Sequence, residues 1–432
     1  MKELVSLAAT AGAQFEVFSV SSNQWSMRLD KTGFRDLESS LSAGASLRLI
    51  KNGRIGFSYG NNMRRPQAIV DSALLSLRTG PEASFSFRNE ALPPTPAAWD
   101  PASEKLKPEA MADAMSSAYG YMSSRCGADV SVFVSCKRVK WRILNSAGLD
   151  VSWKTSQVDF YILLQSSSGD WLERGNAGLC SASMGTDDMD VMLERFALLG
   201  HDIKPPSRRQ KVLFMPEAMY ALLWRLDTAS SAKTLLQNAS PLAGREGAEV
   251  LSPLLTLRLN PLDASFPGAR PVDDEGVPCR NFVTFEKGIF KGYYTDLFCA
   301  GKLGIAPTGH GYRRTMWGGD PLSLKPVPSP YRSAFDPGDK SFPELLKEMG
   351  EGVVVFGALG AHSGNIQNGD FSIGVGPGFV VRDGRLAGRA SGTVVSGNVY
   401  DVLRRTVAVG SDKYPCGDNN PPLLLDGVDV SA

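Results

Sequence analysis

Two proline-bearing breaks constrain this chain most, because they fix where neither a helix nor a central strand can run. The first, ALPPTPAAWDPASEKLKP at 91–108, carries five prolines. Each removes a backbone donor and biases the residue before it away from helix. The second, HDIKPPSRRQ at 201–210, pairs two prolines with a basic cluster. The breaks divide the 432 residues into an N-terminal unit at 1–90, a linker at 91–108, a middle unit at 109–204 and a C-terminal domain at 205–432. That partition fits about 150 residues per domain.

Periodicity fills in the units. After Lys2, the positions Leu4, Leu7, Ala8 and Ala11 repeat at helical spacing, and Glu3 offsets the basic start that a secretory leader needs, so a helix is the better reading. FEVFSVSSNQWSMRLDKTGF alternates as strands do, and Asn52-Gly53 between ASLRLI and IGFSY supplies the positive φ angles of a hairpin turn. Residues 65–77 carry Ile69, Val70, Ala73, Leu74 and Leu77 on one helical face. The middle unit reads as a helix at 109–124, strands at 130–144, 149–153 and 157–166, and a helix at 188–199. The last domain reads as a helix at 216–230 and then glycine-rich strand and loop. A short helix falls at 343–350, a hairpin at Asp383-Gly384 and a helix at 398–409. Helices and strands mix without regular alternation, so the expected class is α+β: N-terminal sheet-and-helix units followed by a larger β-rich C-terminal domain.

Composition removes several function classes. Forty-six basic against 45 acidic residues leave a formal charge of +1, which supplies no general field for nucleic acid or an acidic membrane. The one basic patch is Lys137-Arg138-Val139-Lys140-Trp141-Arg142, where alternation sets Arg138, Lys140 and Arg142 on one face; a solvated sheet face explains it equally well. The longest apolar run, 352–361, has half the roughly 20 residues a membrane-spanning helix needs. The six cysteines, Cys126, Cys136, Cys180, Cys279, Cys299 and Cys416, lie scattered with no CxxC pair. They predict free thiols in a reducing, cytoplasmic setting.

Catalytic signatures are sparse. His201, His310 and His362 are the three histidines, and no two share a helical face as in HExxH. Asp273-Asp274-Glu275-Gly276 is dense in carboxylates but has the spacing of a turn rather than of a calcium loop. His362 and Ser363 are adjacent, and neighbouring side chains rarely face each other, which argues against a triad. Gly374, Gly376 and Gly378 alternate around Pro377, which suits a bent strand rather than a nucleotide loop.

The segments PVDDEGVP (271–278), FEKGIFKGYYTDLFCAGKLG (285–304), PTGHGYRR (307–314), SFPELLKEMGEGVVV (341–355), GNIQNGDFSIGVGPGFVVRDGR (364–385) and SGNVYDVLRRTVAVGSD (396–412) together resemble the TldD/PmbA family. LSAGASLRLIKNGRIGFSYG (41–60) and ILNSAGLDVS (143–152) resemble its first and second regions. The resemblance implies one of two branches: TldD-like subunits with a helical HExxxH zinc motif, or TldE/PmbA-like partners without it. Here the corresponding helix is MPEAMYALLWRLDTASSA (215–232), preceding SPLAGREGAEVLSP (240–253), with Leu222, Leu223, Trp224, Arg225, Leu226 and Asp227 where the motif falls. Cys416 in YPCGDNN resembles a Cys-Gly that adds a zinc ligand in TldD-like members, but one thiolate makes no site.

The implied protein is TldE/PmbA-like: a non-catalytic subunit with no metal or catalytic residue of its own, taking part in proteolysis of small or unfolded peptides beside a zinc-bearing TldD-like partner, or homodimeric when isolated. Expected cleft residues are Arg313, Arg314, Asn365, Asp370 and Ser372, with peptide added as a strand along the glycine-rich edge at 372–378. Family names also mention DNA gyrase modulation, for which the charge balance gives no physical support. Phe298, Cys299, Ala300, Gly301 and Lys302 depart from the family's more basic pattern. The alternatives are a self-sufficient hydrolase built on His310, His362 and Cys416, or a homodimeric peptide-binding protein.

Overall fold

The computed structural model describes all residues except 168, 316–317 and 412–418. Six antiparallel strands form the first sheet: β1 (Gln14–Asp30), β2 (Gly33–Lys51), β3 (Arg54–Gly60), β4 (Asp129–Asn145), β5 (Asp150–Gln165) and β6 (Trp171–Gly178), in the order β3-β2-β1-β4-β5-β6. The β2–β3 turn has Asn52 at φ 50° and Gly53 at φ 71°, the left-handed pair the sequence predicts. β1 pairs with β4 from Glu16↔Asn145 to Leu29↔Val132, so segments 1–90 and 109–204 share one sheet across the proline linker.

Each segment brings its own helical cover. Helices α1 (Lys2–Thr10) and α2 (Pro66–Ser76) bury Leu4, Ala8, Ile69, Val70 and Ala73 against Leu47 and Leu49 of β2. Helices α3 (Ala112–Ser123) and α4 (Thr186–Leu198) bury Met115, Met122, Met189 and Met192 in the core that β4 and β5 share.

Sequence and structure differ at three places here. The segments 149–153 and 157–166 are one strand, because Lys154, Thr155 and Ser156 keep pairing with Lys140, Val139 and Arg138 of β4. β6 was not expected, since WLERGNAG lacks apolar alternation; it is held as an edge strand by pairing with β5 alone. The helix read at 398–409 stops at Arg404, where the β-branched run Thr406–Val409 joins Leu423–Ser431 as a strand.

The C-terminal body is built on a ten-stranded sheet. Its centre is Arg208–Phe214, flanked by Leu423–Ser431 antiparallel and by Gly352–Val355 parallel. Where these strands face one another, at Val212–Phe214, Val353–Val355 and Leu423–Leu425, they are buried on both faces and so read as unbroken apolar runs. Val212, Phe214, Val353, Val355, Leu423 and Leu425 point into a front core, whereas Leu213, Val354 and Leu424 point into a rear core. Helices α5 (Tyr220–Ala229), α6 (Ala232–Leu236) and α9 (Val399–Arg404) contribute to the front. Helix α7 (Leu297–Leu303) approaches the end of the N-terminal unit so closely that a Cβ on Gly301 would sit 1.9 Å from the Ser84 carbonyl oxygen, which is why a larger residue does not fit there. Helix α8 (Phe342–Met349), started by a Ser341/Glu344 capping box, lies at the rear with Leu345, Leu346 and Met349 in the same apolar cluster as α3, α4 and the first sheet.

Charge completes the joint between the two bodies. Glu16 of β1 and Arg48 of β2 are cross-strand partners joined by two hydrogen bonds, Nε to Oε1 at 2.9 Å and Nη2 to Oε2 at 2.6 Å. Arg48 Nη1 reaches Glu275 Oε1 at 2.6 Å, and Arg313 Nη2 returns from the C-terminal body to Glu16 Oε1 at 2.9 Å. Arg313 also donates to Ser46 Oγ and to the Leu324 carbonyl. The 273–276 segment is the turn its sequence implies, with Gly276 at φ 76°, but its three acids are buried. Asp273 accepts backbone N–H groups from Glu275, Val277 and Gly311, Asp274 accepts from Arg270 and from the Arg313 N–H, and Glu275 accepts from the Leu297 N–H. Burial pushes the Glu275 carboxyl up to about 7 against the pull of Arg48, and burial lowers the Arg313 guanidinium to about 10 against the pull of Glu16.

Breaking a buried pair strands a charge. Glu16→Ala, which leaves Arg48 and Arg313 short of a carboxylate, is expected to cost about 3–5 kcal/mol in guanidinium unfolding. Arg142→Ala, which breaks the exposed pair with Asp150, should cost at most about 1 kcal/mol. Equal small losses would show that the network does not hold the two bodies together.

Candidate functional site

α5 follows a single turn at Pro216–Ala218 and has two faces. Ala221, Leu222, Leu226 and Ala229 pack into the front core. Tyr220, Leu223, Trp224, Asp227 and Thr228 line a cleft of about 1100 Å3. The facing wall is made by Arg314, by Lys325 to Pro330 and by Ala358 to His362. Tyr220 Oη donates to the Ala358 carbonyl, and Asp227 accepts from Ser333 Oγ at 2.8 Å.

Arg225 fixes the wall to the helix. Fully buried, its guanidinium donates to the carbonyls of Ala221 (2.6 Å), Ala361 (3.1 Å), Ser363 (2.7 Å) and Asp370 (2.6 Å). Burial lowers its pKa, and the Asp370 charge opposes that. Each of its three nitrogens donates to backbone oxygen, so Arg225 is scaffold rather than reactive group.

The expected cleft residues separate. Arg314 is exposed on the cleft wall, where Nη1 donates to the Pro330 carbonyl at 3.3 Å. Arg313 is not a cleft residue: unlike its neighbour Arg314, its side chain enters the buried network with Glu16. Asn365 accepts the Asn368 N–H within its own turn, and Asp370 Oδ1 accepts from Asn398 Nδ2 at 2.9 Å. Ser372 sits exposed opposite Ser396. These three are not among the residues that line the cleft; Asn365 and Asp370 belong to the loop that Arg225 holds. Nor is 372–378 an open edge throughout, because Gly374 pairs with Leu359 on one side and Val394 on the other. Tyr220, Trp224, Lys233 and Lys325 escaped the sequence reading; the 3.6-residue period of α5 carried a signal only for the first two.

The donors for a zinc ion do not converge. His310 is sealed among Phe282, Tyr294 and Tyr312, with Nδ1 donating to the Thr308 carbonyl at 3.0 Å and Nε2 without a hydrogen-bond partner among the described residues. His362 is exposed on the cleft wall, and His201 is exposed in the second proline break. Among the described residues no three His, Cys, Asp or Glu side chains form a group able to hold a metal ion. Cys416 lies outside the described residues; Cys126, Cys136, Cys180, Cys279 and Cys299 are free thiols. The positions where the resemblance places HExxxH hold the core leucines Leu222, Leu223 and Leu226, Trp224, the carbonyl-bound Arg225 and a single carboxylate, Asp227, a set that does not fit zinc. The basic segment of β4 is also engaged: Arg142 pairs with Asp150, and Arg138 donates to the Ser103 and Glu104 carbonyls.

A two-body α+β fold with a cleft along α5 defines the class, and comparison with known proteins gives the family. Residues 207–432 match the model of the PmbA/TldA metallopeptidase C-terminal domain, and residues 15–77 match PmbA/TldA metallopeptidase domain 1. The chain belongs to the PmbA/TldD family. A metalloprotease of Methanothermobacter thermautotrophicus is 25% identical over 427 residues, covering 90% of this chain and 89% of that protein. The structure of a proposed modulator of a DNA gyrase from Thermotoga maritima superposes with a TM-score of 0.86 at 25% identity, covering 100% of this chain and 99% of the other. TldE from Thermococcus kodakarensis shares the fold, with a TM-score of 0.86 at 22% identity and full coverage of both chains.

Burial lowers the His310 pKa to about 4 from its ordinary 6.5. The unfolded chain therefore binds a proton that the folded chain refuses between those values, so stability falls as pH drops from about 6.5 to 4. The contribution is about 3 kcal/mol. Unfolding titrations of the wild type and His310→Phe should diverge across that window, with the variant flatter; parallel curves would refute a neutral, buried His310.

Proposed function

We propose that this chain is the TldE/PmbA-like, non-catalytic subunit of a TldD-type metallopeptidase complex. In this reading a TldD-like partner carries the zinc, and this chain supplies a wall of the chamber in which small or unfolded peptides are cleaved. The observation that carries it is α5. A zinc peptidase needs ligands that converge on one ion and a carboxylate to act as base. α5 offers Leu222 and Leu226 to the core and Arg225 to four carbonyls. Its Asp227, on the cleft face, is the single carboxylate at those positions.

The cleft fits the peptide role better than a hydrolytic one. It is large, walled by Tyr220, Leu223, Trp224, Val327 and Pro328, and it has cationic side chains at one end. No helix among the described residues is long and apolar enough to cross a membrane. Five free thiols agree with a cytoplasmic setting, which stands with the rest of the proposal.

Zinc content and peptide turnover measured on the chain alone, on a TldD-like partner alone and on the mixture test the reading. Less than about 0.1 zinc per chain, no turnover alone and turnover in the mixture are expected, since a lone thiolate or imidazole cannot retain the ion. Stoichiometric zinc with turnover by this chain alone would replace the proposal with a self-sufficient hydrolase.

A further inference from the structure

The cleft along α5 adjoins a second cavity. About 520 Å3 opens at the start of the same helix, against β4, β5 and β6, and Tyr220 and Leu223 line both spaces. The two spaces therefore meet at the Tyr220–Leu223 turn of the helix, and together they form the groove considered below.

Charge is distributed oppositely in the halves. The first half has the carboxylates of Asp159, Glu173 and Glu217 and one cation, Arg174, whose Nη2 is held by Asp188 at 2.6 Å. Glu217 Oε2 is shut off from solvent and has no hydrogen-bond partner among the described residues. Burial pushes that carboxyl up, as expected for an acceptor that lacks its donor. The second half has Lys233, Arg314 and Lys325 against the single carboxylate of Asp227, which is bonded to Ser333. Among the described residues none of these three cations forms an ion pair.

We propose that the groove binds a short peptide by its two free ends, the N-terminal ammonium against Glu217 and its neighbouring carboxylates and the C-terminal carboxylate against Arg314, Lys325 and Lys233. This deepens the peptide-cleft reading above and rests on it. A peptide with free ends carries the two charges in the complementary order, whereas the interior of a long chain carries neither. Ten residues of helix make α5 about 15 Å long, which an extended peptide of about five residues spans. Tyr220, Leu223 and Trp224 give the segment between the ends an apolar floor.

Calorimetric titration of the purified chain with Ala-Ala-Phe-Ala-Ala tests this, using the peptide with free ends, N-acetylated, C-amidated and blocked at both ends. Each block should weaken binding about tenfold, because each removes one charge-assisted contact. Glu217→Gln should abolish the penalty for acetylation and keep that for amidation. Arg314→Ala combined with Lys325→Ala should do the reverse, and circular dichroism of both variants confirms that each is folded. Equal affinity for the free and doubly blocked peptides would overturn end recognition while leaving the peptide cleft intact. No binding of any form at millimolar peptide would overturn both, while the partner-subunit role is judged separately by turnover in the mixture.

Discussion

The buried pairing of Glu16 with Arg48 and Arg313 is the interaction on which the rest of this structure depends. Charges taken out of water cost several kcal/mol each unless matched by opposite charge and by hydrogen bonds. Here Glu16 is met by two guanidinium groups, Arg48 spends a further donor on Glu275, and Arg313 spends others on Ser46 and Leu324. The first sheet and the C-terminal body therefore have one low-energy relative placement. That placement also builds the cleft, because the Leu324 carbonyl held by Arg313 begins the wall that runs on through Lys325 and Pro330.

Helix α5 joins the front core to the cleft wall. The helix lies on the front core, with Leu222 and Leu226 in the interior. Arg225 ties the 361–370 loop to it through carbonyl oxygens, so the facing wall stays in place without any metal-ligand side chain. What remains toward solvent is an aromatic and apolar surface with opposite charges at its two ends.

Elements set by local chemistry were legible beforehand. The Asn52-Gly53 and Asp383-Gly384 hairpins, with all four residues at positive φ, follow from turn preferences alone. Helix α2 follows from its apolar period, and the short α8 lies where its segment reads as helical. The unreadable parts depend on a distant strand. β5 continues through Lys154 to Ser156 only because β4 offers a partner, and β6 exists only as an edge on β5. Among the site residues, Arg313 and Arg314 are chemically identical neighbours. One is sealed against Glu16, and the other stands in the cleft.

By itself the sequence determined the α+β class, the turns, most helices and the lack of an HExxxH motif, because each is written in residue type and short-range spacing. Tertiary structure decided that the first two segments share one sheet and that the Asp273-Asp274-Glu275 acids are buried supports rather than surface. It decided as well that the groove has an acidic and a basic end. Those outcomes turn on contacts between residues far apart in the chain, such as the strand pairing of Glu16 with Asn145 and the ion pair of Arg48 with Glu275 at a separation of 227, and no local period encodes such pairings.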